Sequence, residues 1–417
     1  MSLLDQLSLP EVWERFYEYK TSLVSAGNAE TRLRRFIDDA RYLPFCRKIR
    51  EGAPFPLPKK AVISKLSSSK KRTVYIYPEP ENTVLKLLTW LLLRRYDSLF
   101  SDGLYSFRPG RSAKDAIRHL RSVSGIREMY SYKADISNYF NSIPIPRFLP
   151  VLKETLSDDP ELYLFLSSLL EETRVIDFEI VTEEKGIMAG TPLSAFYANL
   201  YLKDLDRRFE EAGVTYARYS DDIILFDRSE EETQKNALLL KTYLMEQGLK
   251  MNPDKEEFRS PSEGWTFLGF SYQDGRIDIA PASVKKIKGK MRRKSKALKR
   301  WADRNGQDPK RAAAAFIRVF NRKLLGTKKS GSSQETESME ELPENDLTWK
   351  HWYFSVINTD KSLREIDHYA AECVRYLLSG TRTKARFNVR YEDLKKLGYQ
   401  SLVHAYHDHT RGHSGTI

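Results

Sequence analysis

Two short stretches in the middle of the chain have the hydrophobic pattern of β-strands. The segment Tyr132–Pro144 (YKADISNYFNSIP) predicts a strand that ends at Asp135 and then enters a turn. Farther on, the apolar run Ile223–Phe226 predicts a buried strand, and the polar turn Ser220–Asp222 precedes it. The pattern therefore predicts two strands with carboxylates at their ends, and Asp135 and Asp221 lie 86 residues apart.

The C-terminal part of the chain has helical periodicity instead. An apolar stripe predicts one helix, and the polar turn Asn305–Pro309 separates it from a second helix. The polar stretch from Gly326 to Asn345 predicts a loop or flexible linker, and a further helix with one apolar face follows it. The first stripe consists of Ile287, Met291, Leu298 and Trp301, and the last of Leu363, Ile366, Tyr369 and Cys373.

Charge distinguishes one region from the rest. The 417 residues carry a formal net charge of +12, and Pro281–Ser330 alone holds 18 Lys and Arg against two acids. Residues 1–280 are close to neutral. So many bases without interleaved acids cannot neutralise one another, which predicts a nucleic-acid backbone as partner. The alternative is a solvated helix face.

Composition excludes several classes of protein. A hydrophobic content of 41% with 12% aromatic residues is too rich for a disordered chain. The two cysteines, Cys46 and Cys373, cannot build a disulfide framework, which favours a reducing compartment. No apolar run is long enough to span a bilayer, and the N-terminus lacks a signal pattern. We therefore expect a cytoplasmic protein with no membrane partner.

The paired carboxylates are the candidate chemistry. A hairpin with Asp221 and Asp222 at its tip makes an anionic site suited to hard cations such as Mg²⁺. Asp135 joins this site only in a fold that pairs the two strands. Two divalent ions between such carboxylates would activate a 3′-hydroxyl and stabilise a pyrophosphate leaving group. An Asp-Asp turn alone is usually only a turn, so the neighbouring segments must show whether this one is a metal site.

The order of the surrounding segments resembles the reverse transcriptase family. The blocks run from Lys59 to Tyr272 and are KRTVYIYPE, YSFRPGRSAKDAI, DISNYF, GTPLSAFYANLYL, YSDD, LKMNPDK and FLGF. The resemblance implies an α+β right-hand polymerase, with an antiparallel palm sheet flanked by helices. Its regions would be an N-terminal helical extension (1–58), fingers and palm (59–280), a basic helical thumb (281–325), a flexible acidic linker or loop (326–346) and a helical C-terminal region that binds RNA or completes the thumb (347–417).

The resemblance also implies an activity, RNA-directed DNA polymerase, which is a nucleotidyltransferase. It would use two Mg²⁺ ions, with Mn²⁺ as a possible substitute, and deoxynucleotides as substrates. Asp135 and Asp221 match the metal-binding aspartates, and Asp222 matches the adjoining acid. Ile136 would lend its backbone carbonyl to a metal. Lys255 stands where the family places a general acid for pyrophosphate release, with a solvated turn lysine as the alternative.

Further residues match the nucleotide site of the family. Phe140 matches the aromatic residue that blocks a ribose 2′-hydroxyl, Tyr139 is the alternative in register, and a core aromatic is the remaining alternative. Lys71 and Arg72 fit the bases that hold the triphosphate.

One block departs from the family. Where a Gln usually precedes the Gly, this chain has Ala189 before Gly190. Ala189 cannot make amide contacts beside the nucleotide, which leaves nucleotide selection and templating less secure by analogy.

Other residues match contacts to primer, template or RNA. Arg108 and Arg111 either contact template or triphosphate, or brace the fingers. Phe267, Leu268 and Gly269 match the primer-grip hairpin, although a plain strand turn would also use Gly. The remaining expected contacts are Tyr219 beside the aspartates and, on the thumb, Lys285, Lys288, Arg292, Arg293 and Lys296.

The compact chain resembles the bacterial retron-like and unclassified reverse transcriptases, many of which act in antiphage defence. This implies a structured noncoding RNA as template or scaffold, a DNA/RNA duplex product and a phage-encoded or host trigger. Two alternatives stay open, a template-independent or protein-primed DNA polymerase and a non-catalytic RNA-binding protein with a polymerase fold. An RNA-dependent RNA polymerase is disfavoured by Phe140 and by the block order.

Overall fold

The computed structural model describes residues 1–23, 28–64, 71–171, 174–176, 179–181, 184–326, 348–381 and 389–413. All but the first residue of the predicted acidic linker lies outside these ranges. The helices are α1 (Leu3–Gln6), α2 (Pro10–Leu23), α3 (Asn28–Asp38), α4 (Leu43–Arg50), α5 (Glu79–Arg95), α6 (Ala113–Ser122), α7 (Tyr139–Ser142), α8 (Ile145–Thr155), α9 (Pro160–Glu171), α10 (Ser194–Tyr201), α11 (Lys203–Glu211), α12 (Glu230–Glu246), α13 (Pro281–Arg304), α14 (Pro309–Leu325), α15 (Trp349–Tyr353), α16 (Lys361–Ser379), α17 (Tyr391–Lys396) and α18 (Leu402–His413).

The strands are short and pair antiparallel. They are β1 (Lys59–Ser64), β2 (Lys71–Ile76), β3 (Tyr130–Asp135), β4 (Arg174–Ile176), β5 (Glu179–Val181), β6 (Thr215–Tyr219), β7 (Asp222–Asp227), β8 (Glu257–Arg259), β9 (Trp265–Phe267), β10 (Phe270–Gln273) and β11 (Arg276–Ile279). They form the hairpins β1-β2 and β4-β5, a four-stranded sheet in the order β6-β7-β3-β8, and a three-stranded sheet in the order β11-β10-β9.

The chain divides into two compact units. The first consists of residues 1–116 and 128–260, and the second of residues 117–127 and 261–417. The four-stranded sheet belongs to the first unit, and the three-stranded sheet with α13–α18 belongs to the second. The short insertion 117–127 therefore leaves the first unit and returns to it.

The four-stranded sheet explains the apolar run in the sequence. Helix α12 packs against β3 and β7, and the whole run Ile223–Phe226 is buried. A strand covered on both faces needs no polar alternation, which is why the run is continuous. Ser229 caps α12 by accepting a hydrogen bond from the Glu232 N–H at 3.1 Å, and acids fill the first turn. The sheet and its helix place the ends of β3 and β7 together.

The described part of residues 1–58 contains the helices α1–α4. These helices pack on the rest of the first unit through an aromatic cluster in which the rings of Trp13 and Tyr42 stack at 4.7 Å. Phe16 extends the cluster to Trp90 of α5, with ring centroids 5.8 Å apart. The extension therefore shares the hydrophobic core of the first unit rather than forming a core of its own.

The basic helix α13 buries the predicted stripe with one exception. Ile287, Met291 and Leu298 are buried, but Trp301 is 38% exposed, so its placement in the stripe was wrong. Trp301 falls at the edge of the stripe, where a helical residue is shared between core and solvent. The polar turn to α14 lies where predicted, because α13 ends at Arg304 and α14 begins at Pro309.

The C-terminal helices complete the core of the second unit. Leu363, Ile366 and Cys373 of α16 are buried, and Tyr369 is half-buried with the Lys288 ammonium 5.0 Å from its ring centroid. Tyr353 is also buried, against Phe270 of β10 at 5.0 Å. The aromatic residues after the linker therefore include core-packing side chains.

Candidate active site at the ends of two palm strands

The structure brings the two distant carboxylate segments together. In the register of β3 and β7, Asp135 lies directly opposite Asp222. The Ile136 N–H donates to the Asp221 carbonyl at 3.1 Å, so the chain stays paired just beyond the strand ends. Directly opposite residues in antiparallel strands have Cβ atoms about 5 Å apart. The sequence prediction that one fold pairs these strands is confirmed.

The hairpin turn that carries Asp221 and Asp222 is conformationally unusual. Ser220 has φ +61°, the left-handed region that non-glycine residues rarely occupy. Its N–H donates to the Ser106 hydroxyl at 2.9 Å, and the Arg218 guanidinium donates to its carbonyl at 3.3 Å. One side chain from outside the hairpin, Ser106, and one from its strand β6, Arg218, therefore hold the turn.

The carboxylates repel one another. Burial and the neighbouring carboxylates of Asp221 and Asp135 raise the pKa of Asp222 to about 6. Lys255 forms an ion pair with the Asp135 carboxylate, and Lys133 on β3 also lowers the pKa of Asp222. The site thus carries excess negative charge, and Lys255 and Lys133 neutralise only part of it.

This donor set fits a divalent cation by its chemistry. Asp135 is only 4% exposed, and its backbone carbonyl accepts from the Asn252 N–H at 2.8 Å, which fixes its position. Across the described ranges, no cluster of three or more His, Cys, Asp or Glu side chains is arranged to hold a metal. The Lys255 ammonium pairs with the Asp135 carboxylate and offsets part of its charge. Asp135, Asp221 and Asp222 are the residues that would hold an ion, which would lower the pKa of a hydroxyl and neutralise phosphate charge.

The two aromatic candidates for the sugar gate occupy different places. Tyr139 is 1% exposed, and its hydroxyl donates to the Ala198 carbonyl at 2.6 Å, so the core-aromatic alternative describes Tyr139 in this structure. Phe140 is half-buried, and its ring lies 6.5 Å from that of Phe107 and edge-on to it. Phe107 in turn lies 6.5 Å from the Tyr219 ring, with φ +58° and 40% exposure.

The loop with Ala189 and Gly190 contacts the fingers hairpin. The Tyr75 N–H of β2 donates to the Ala189 carbonyl at 2.7 Å. Gly190 has φ +97°, and a Cβ there would lie 3.1 Å from Val74 Cβ, so the close approach requires glycine. Lys71 begins β2, with Arg72 beside it, but their side chains fall outside the described part of the structure. The expected triphosphate contact of these two bases stays a prediction.

Two arginines expected near template or triphosphate are engaged by the protein itself. Arg108 is buried, its Nε donates to Asp97 Oδ1 at 2.8 Å, and Nη1 donates to the Ser101 carbonyl at 2.6 Å. Arg111 donates to the Asp102 carbonyl at 2.7 Å and to its carboxylate. Of the two alternatives, bracing of the fingers describes both residues in this structure.

The residues expected to grip the primer lie in the second unit. Phe267 is buried, and Leu268 and Gly269 form a left-handed turn with φ +50° and +86°. A Cβ at Gly269 would lie 3.0 Å from the Tyr353 hydroxyl, so packing within the unit is enough to require glycine. On α13, Lys288 pairs with Glu365 at 2.7 Å, and the exposed bases are Lys285, Lys286, Arg292, Arg293, Lys296, Arg300 and Arg304.

Sequence reasoning missed the buried polar residues that hold the turn Ser220–Asp222. Ser106, Asn199, Asp206 and Arg218 are all buried, and Arg218 pairs with Asp206 at full burial. Although burial alone would lower it, the pKa of Arg218 is raised by the Asp206 carboxylate. One signal was present, because Arg218 is a charged residue between the strand-forming residues Ala217 and Tyr219.

The chain belongs to the reverse transcriptase (RNA-dependent DNA polymerase) family. Residues 57–272, just over half of the chain, match that family. This result confirms the resemblance read from the ordered blocks. Together with the antiparallel palm sheet and its flanking helices, it confirms the predicted α+β polymerase fold.

Two kinds of intron-encoded relatives are similar to this chain. The group II intron-encoded protein LtrA of Lactococcus lactis subsp. cremoris is 22% identical over 249 residues, which are 54% of this chain and 41% of LtrA. An uncharacterized 91 kDa protein in the cob intron of Schizosaccharomyces pombe is 28% identical over 158 residues, which are 37% of this chain and 19% of that protein. The chain thus spans less than half the length of these relatives.

Solved structures of telomerase from Candida tropicalis are also similar. The apo enzyme is 11% identical with a TM-score of 0.46, over 85% of this chain and 64% of that one. The complex with a TWJ fragment of telomeric RNA is 12% identical with a TM-score of 0.43, over 58% of this chain and 48% of that one. Separately, the described residues include no helix with the length and apolar character needed to cross a membrane.

Proposed function

We propose that this protein is an RNA-directed DNA polymerase whose catalytic carboxylates are Asp135, Asp221 and Asp222. The observation that carries the proposal is the pairing of Asp135 with Asp222 across β3 and β7. Membership of the reverse transcriptase family supports the same reaction class. The family generally uses divalent metals, and we propose two Mg²⁺ ions, with Mn²⁺ as a substitute, as the ions bound by these carboxylates and the Ile136 carbonyl.

Each proposed role follows from where the residue lies. The carboxylates would hold the ions. We assign to Phe140 the exclusion of a ribose 2′-hydroxyl, because its half-buried ring lies 6.5 Å from that of Phe107, which in turn lies 6.5 Å from the ring of Tyr219, two residues before Asp221. Lys255 forms an ion pair with Asp135 before substrate binds, and we assign it the proton donation to pyrophosphate. A cation held by Asp135 would compete with the Lys255 ammonium for the same carboxylate.

The experiment is primer extension on an RNA template with dNTPs and Mg²⁺. Asp221→Asn keeps the size of the side chain and removes its charge, and we expect product formation to fall by at least about 10³-fold. Asp227→Asn is the matched control, because Asp227 lies at the opposite end of β7 and contacts Asn236 and its own turn. Equal activity of Asp221→Asn and Asp227→Asn would contradict the proposal.

Ala189 supports a second candidate, a template-independent or protein-primed DNA polymerase. Its methyl group cannot donate or accept the hydrogen bonds by which an amide would read a nucleotide or template base. Sequencing of the product distinguishes the two functions, since a copied sequence requires a template. DNA that remains attached to protein after denaturation, without protease treatment, would indicate priming from a side-chain hydroxyl.

The wider role is proposed on the resemblance to retron-like and unclassified bacterial enzymes. In this proposal a structured noncoding RNA is template or scaffold, the product is a DNA/RNA duplex, and a phage-encoded or host factor triggers antiphage defence in the cytoplasm. The exposed bases of α13 support an RNA or hybrid partner, because such partners are held mainly through phosphates and 2′-hydroxyls. Loss of phage protection in Asp221→Asn cells, with Asp227→Asn cells still protected, would support the role. Unchanged protection would instead favour a non-catalytic RNA-binding protein.

A further inference from the structure

The turn that presents the catalytic carboxylates is held through the backbone N–H and the backbone carbonyl of one residue. Ser220 precedes Asp221 and is buried with φ +61°. A non-glycine residue in this region costs free energy and persists only where its surroundings fix it. The two backbone bonds that fix Ser220 come from Ser106 and Arg218, which lie outside the turn.

The acceptor of the first bond, Ser106, is itself hydrogen-bonded to a second buried polar side chain, Asn199. The Ser106 hydroxyl accepts from the Ser220 N–H at 2.9 Å and donates to Asn199 Oδ1 at 3.0 Å. The Asn199 Nδ2 donates in return to the Ser106 carbonyl at 2.8 Å. The hydroxyl therefore cannot rotate away without losing a buried bond, which costs far more than losing an exposed one.

The second bond comes from a fully buried arginine. Arg218 donates from Nη1 to the Ser220 carbonyl at 3.3 Å and from Nη2 to the Asn199 carbonyl at 3.2 Å. Asp206 binds the same guanidinium through both oxygens and also accepts from the Tyr216 hydroxyl at 2.8 Å. Breaking one partner of such a pair leaves an uncompensated buried charge. The arginine is thereby locked in one orientation.

The backbone carries Ser106 to this position. The segment 103–105 runs parallel to β6, with the Arg218 N–H donating to the Gly103 carbonyl at 2.8 Å and the Tyr105 N–H donating to the Arg218 carbonyl at 3.0 Å. A Cβ at Gly103 would lie 2.8 Å from the Tyr216 ring, so the segment approaches this closely only with glycine. The next residue, Ser106, then reaches the turn.

These bonds close a ring from the Ser220 N–H through Ser106, Asn199 and Arg218 back to the Ser220 carbonyl. We propose that Ser106, Asn199 and Arg218 are positioning residues that fix Asp221 and Asp222 for metal binding. The proposal rests on the proposed function, since it assigns these residues to the same carboxylates. Buried hydrogen bonds to the backbone N–H and carbonyl of Ser220 fix the orientation of the two peptide planes on either side of it. The carboxylates that follow are therefore preorganised for metal binding.

The test removes one hydroxyl. In Ser106→Ala the Ser220 N–H loses its acceptor, and we expect the Mn²⁺ dissociation constant, measured by electron paramagnetic resonance on the full chain, to rise by about tenfold or more. We also expect kcat for primer extension to fall by about tenfold or more, with KM for dNTP unchanged, because substrate contacts stay intact. Ser106→Cys keeps a weak donor and acceptor and should lie between Ser106→Ala and wild type.

Ser167→Ala is the matched control. Ser167 is a buried serine of α9 whose hydroxyl donates to the Leu164 carbonyl at 3.2 Å, away from the turn. We expect wild-type metal affinity and kcat from it, whatever its effect on the melting temperature. Metal affinity of Ser106→Ala equal to that of Ser167→Ala would overturn the proposal. If Ser106→Ala does not fold, the comparison of Ser106→Cys with Ser167→Ala decides in the same way.

The proposal and the proposed function fail in different ways. If Asp221→Asn retains full polymerase activity, the site assignment fails and the ring has no catalytic turn to hold. If Asp221→Asn is inactive but Ser106→Ala matches Ser167→Ala in metal affinity and kcat, the site stands and the positioning role alone is wrong.

Discussion

At the scale of single residues, two adjacent aromatic side chains of this protein differ in burial. Tyr139 and Phe140 are adjacent aromatic residues in one turn, yet the Tyr139 hydroxyl is bonded in the core and the Phe140 ring is half-buried beside Phe107. Because α7 begins at Tyr139, the two side chains point about 100° apart around the helix. Of the two, only Phe140 is partly accessible, so it stays the candidate for the sugar gate.

We predict that Phe140→Ala relaxes sugar selection. Removal of the ring leaves room for a 2′-hydroxyl, so the ratio of kcat/KM for dNTP to that for rNTP should fall by roughly 10–200-fold. Tyr139→Phe is the control, since it deletes a buried hydroxyl and should cost about 1 kcal/mol of stability without changing that ratio. Single-nucleotide incorporation assays measure both. An unchanged ratio in Phe140→Ala would contradict the assignment of sugar selection to Phe140.

Asp222 shows a cost of assembling carboxylates. Its pKa is raised to about 6 in the folded protein from an ordinary value of 3.8. A raised carboxyl pKa makes the folded state bind a proton that the unfolded state releases, so this group's contribution to stability falls as pH rises through about 6. At neutral pH, without metal, the charged Asp222 therefore destabilises the fold.

We predict that Asp222→Asn raises the melting temperature of the metal-free protein at pH 7.5, by roughly 2–4 °C. The gain should shrink at pH 4.5, where wild-type Asp222 is already mostly protonated. Scanning calorimetry in the presence of a chelator measures both values, with Asp227→Asn run in parallel. A lower melting temperature for Asp222→Asn at pH 7.5 would show that the repulsion inferred for this site is absent.

At the scale of elements, α13 separates its two faces by chemistry. Its buried residues include Ile287, Met291 and Leu298, while its exposed bases lie on the opposite side. Two neighbouring bases on this helix form ion pairs within the protein, Lys288 with Glu365 and Lys299 with Asp303. The exposed bases are therefore a distinct set, available to an external polyanion.

We predict that this face controls the salt dependence of nucleic-acid binding. Replacing Lys285, Arg292 and Lys296 by Glu should weaken binding to an RNA/DNA hybrid. The plot of log K against log salt concentration should also become shallower, with the magnitude of its slope reduced by roughly 2–3. The matched control reverses three exposed bases on α14, namely Lys310, Arg318 and Arg322. Equal slopes for the two triple variants, measured by fluorescence anisotropy, would place the nucleic acid elsewhere.

Elements also separate what the sequence could predict from what it could not. Asp135, Asp221 and Asp222 were predictable because their motifs are local and the order of blocks supplied the pairing of β3 with β7. The Arg218–Asp206 pair was not, because Asp206 reads as one of several polar positions on an amphipathic helix and its burial depends on β6 packing against α11. The face of Trp301 was wrong for a similar reason, since periodicity fixes the centre of a stripe better than its edge.

At the scale of the whole molecule, charge and chemistry occupy different parts of the chain. The segment 281–330 carries most of the positive charge, whereas the carboxylates lie in a first unit that is close to neutral. If the proposed function is correct, we expect substitutions of the basic segment to alter binding strength and substitutions of the carboxylates to alter the reaction. The sequence predicted this division, because net charge is a sum over residues and does not depend on how they pack.

We predict that the purified protein carries one dominant structured RNA. A basic segment selects polyanions without regard to sequence, but a dedicated template would be enriched far above the abundance of cellular RNA. Sequencing of the co-purified nucleic acid from wild type and Asp221→Asn measures this, and DNA complementary to that RNA should be present only with wild type. A sample that mirrors total cellular RNA would argue against a dedicated partner.

The insertion of residues 117–127 into the second unit has a consequence for synthesis on the ribosome. Ile117, Leu120 and Ile126 are buried in the finished protein, and Arg127 contacts the Gly275 turn of the three-stranded sheet. At about 5–20 residues per second, the roughly 150 residues between Arg127 and the end of that sheet take about 8–30 s to emerge. During this interval the nascent chain exposes an apolar segment, so the early chain is the stage at which a chaperone would act.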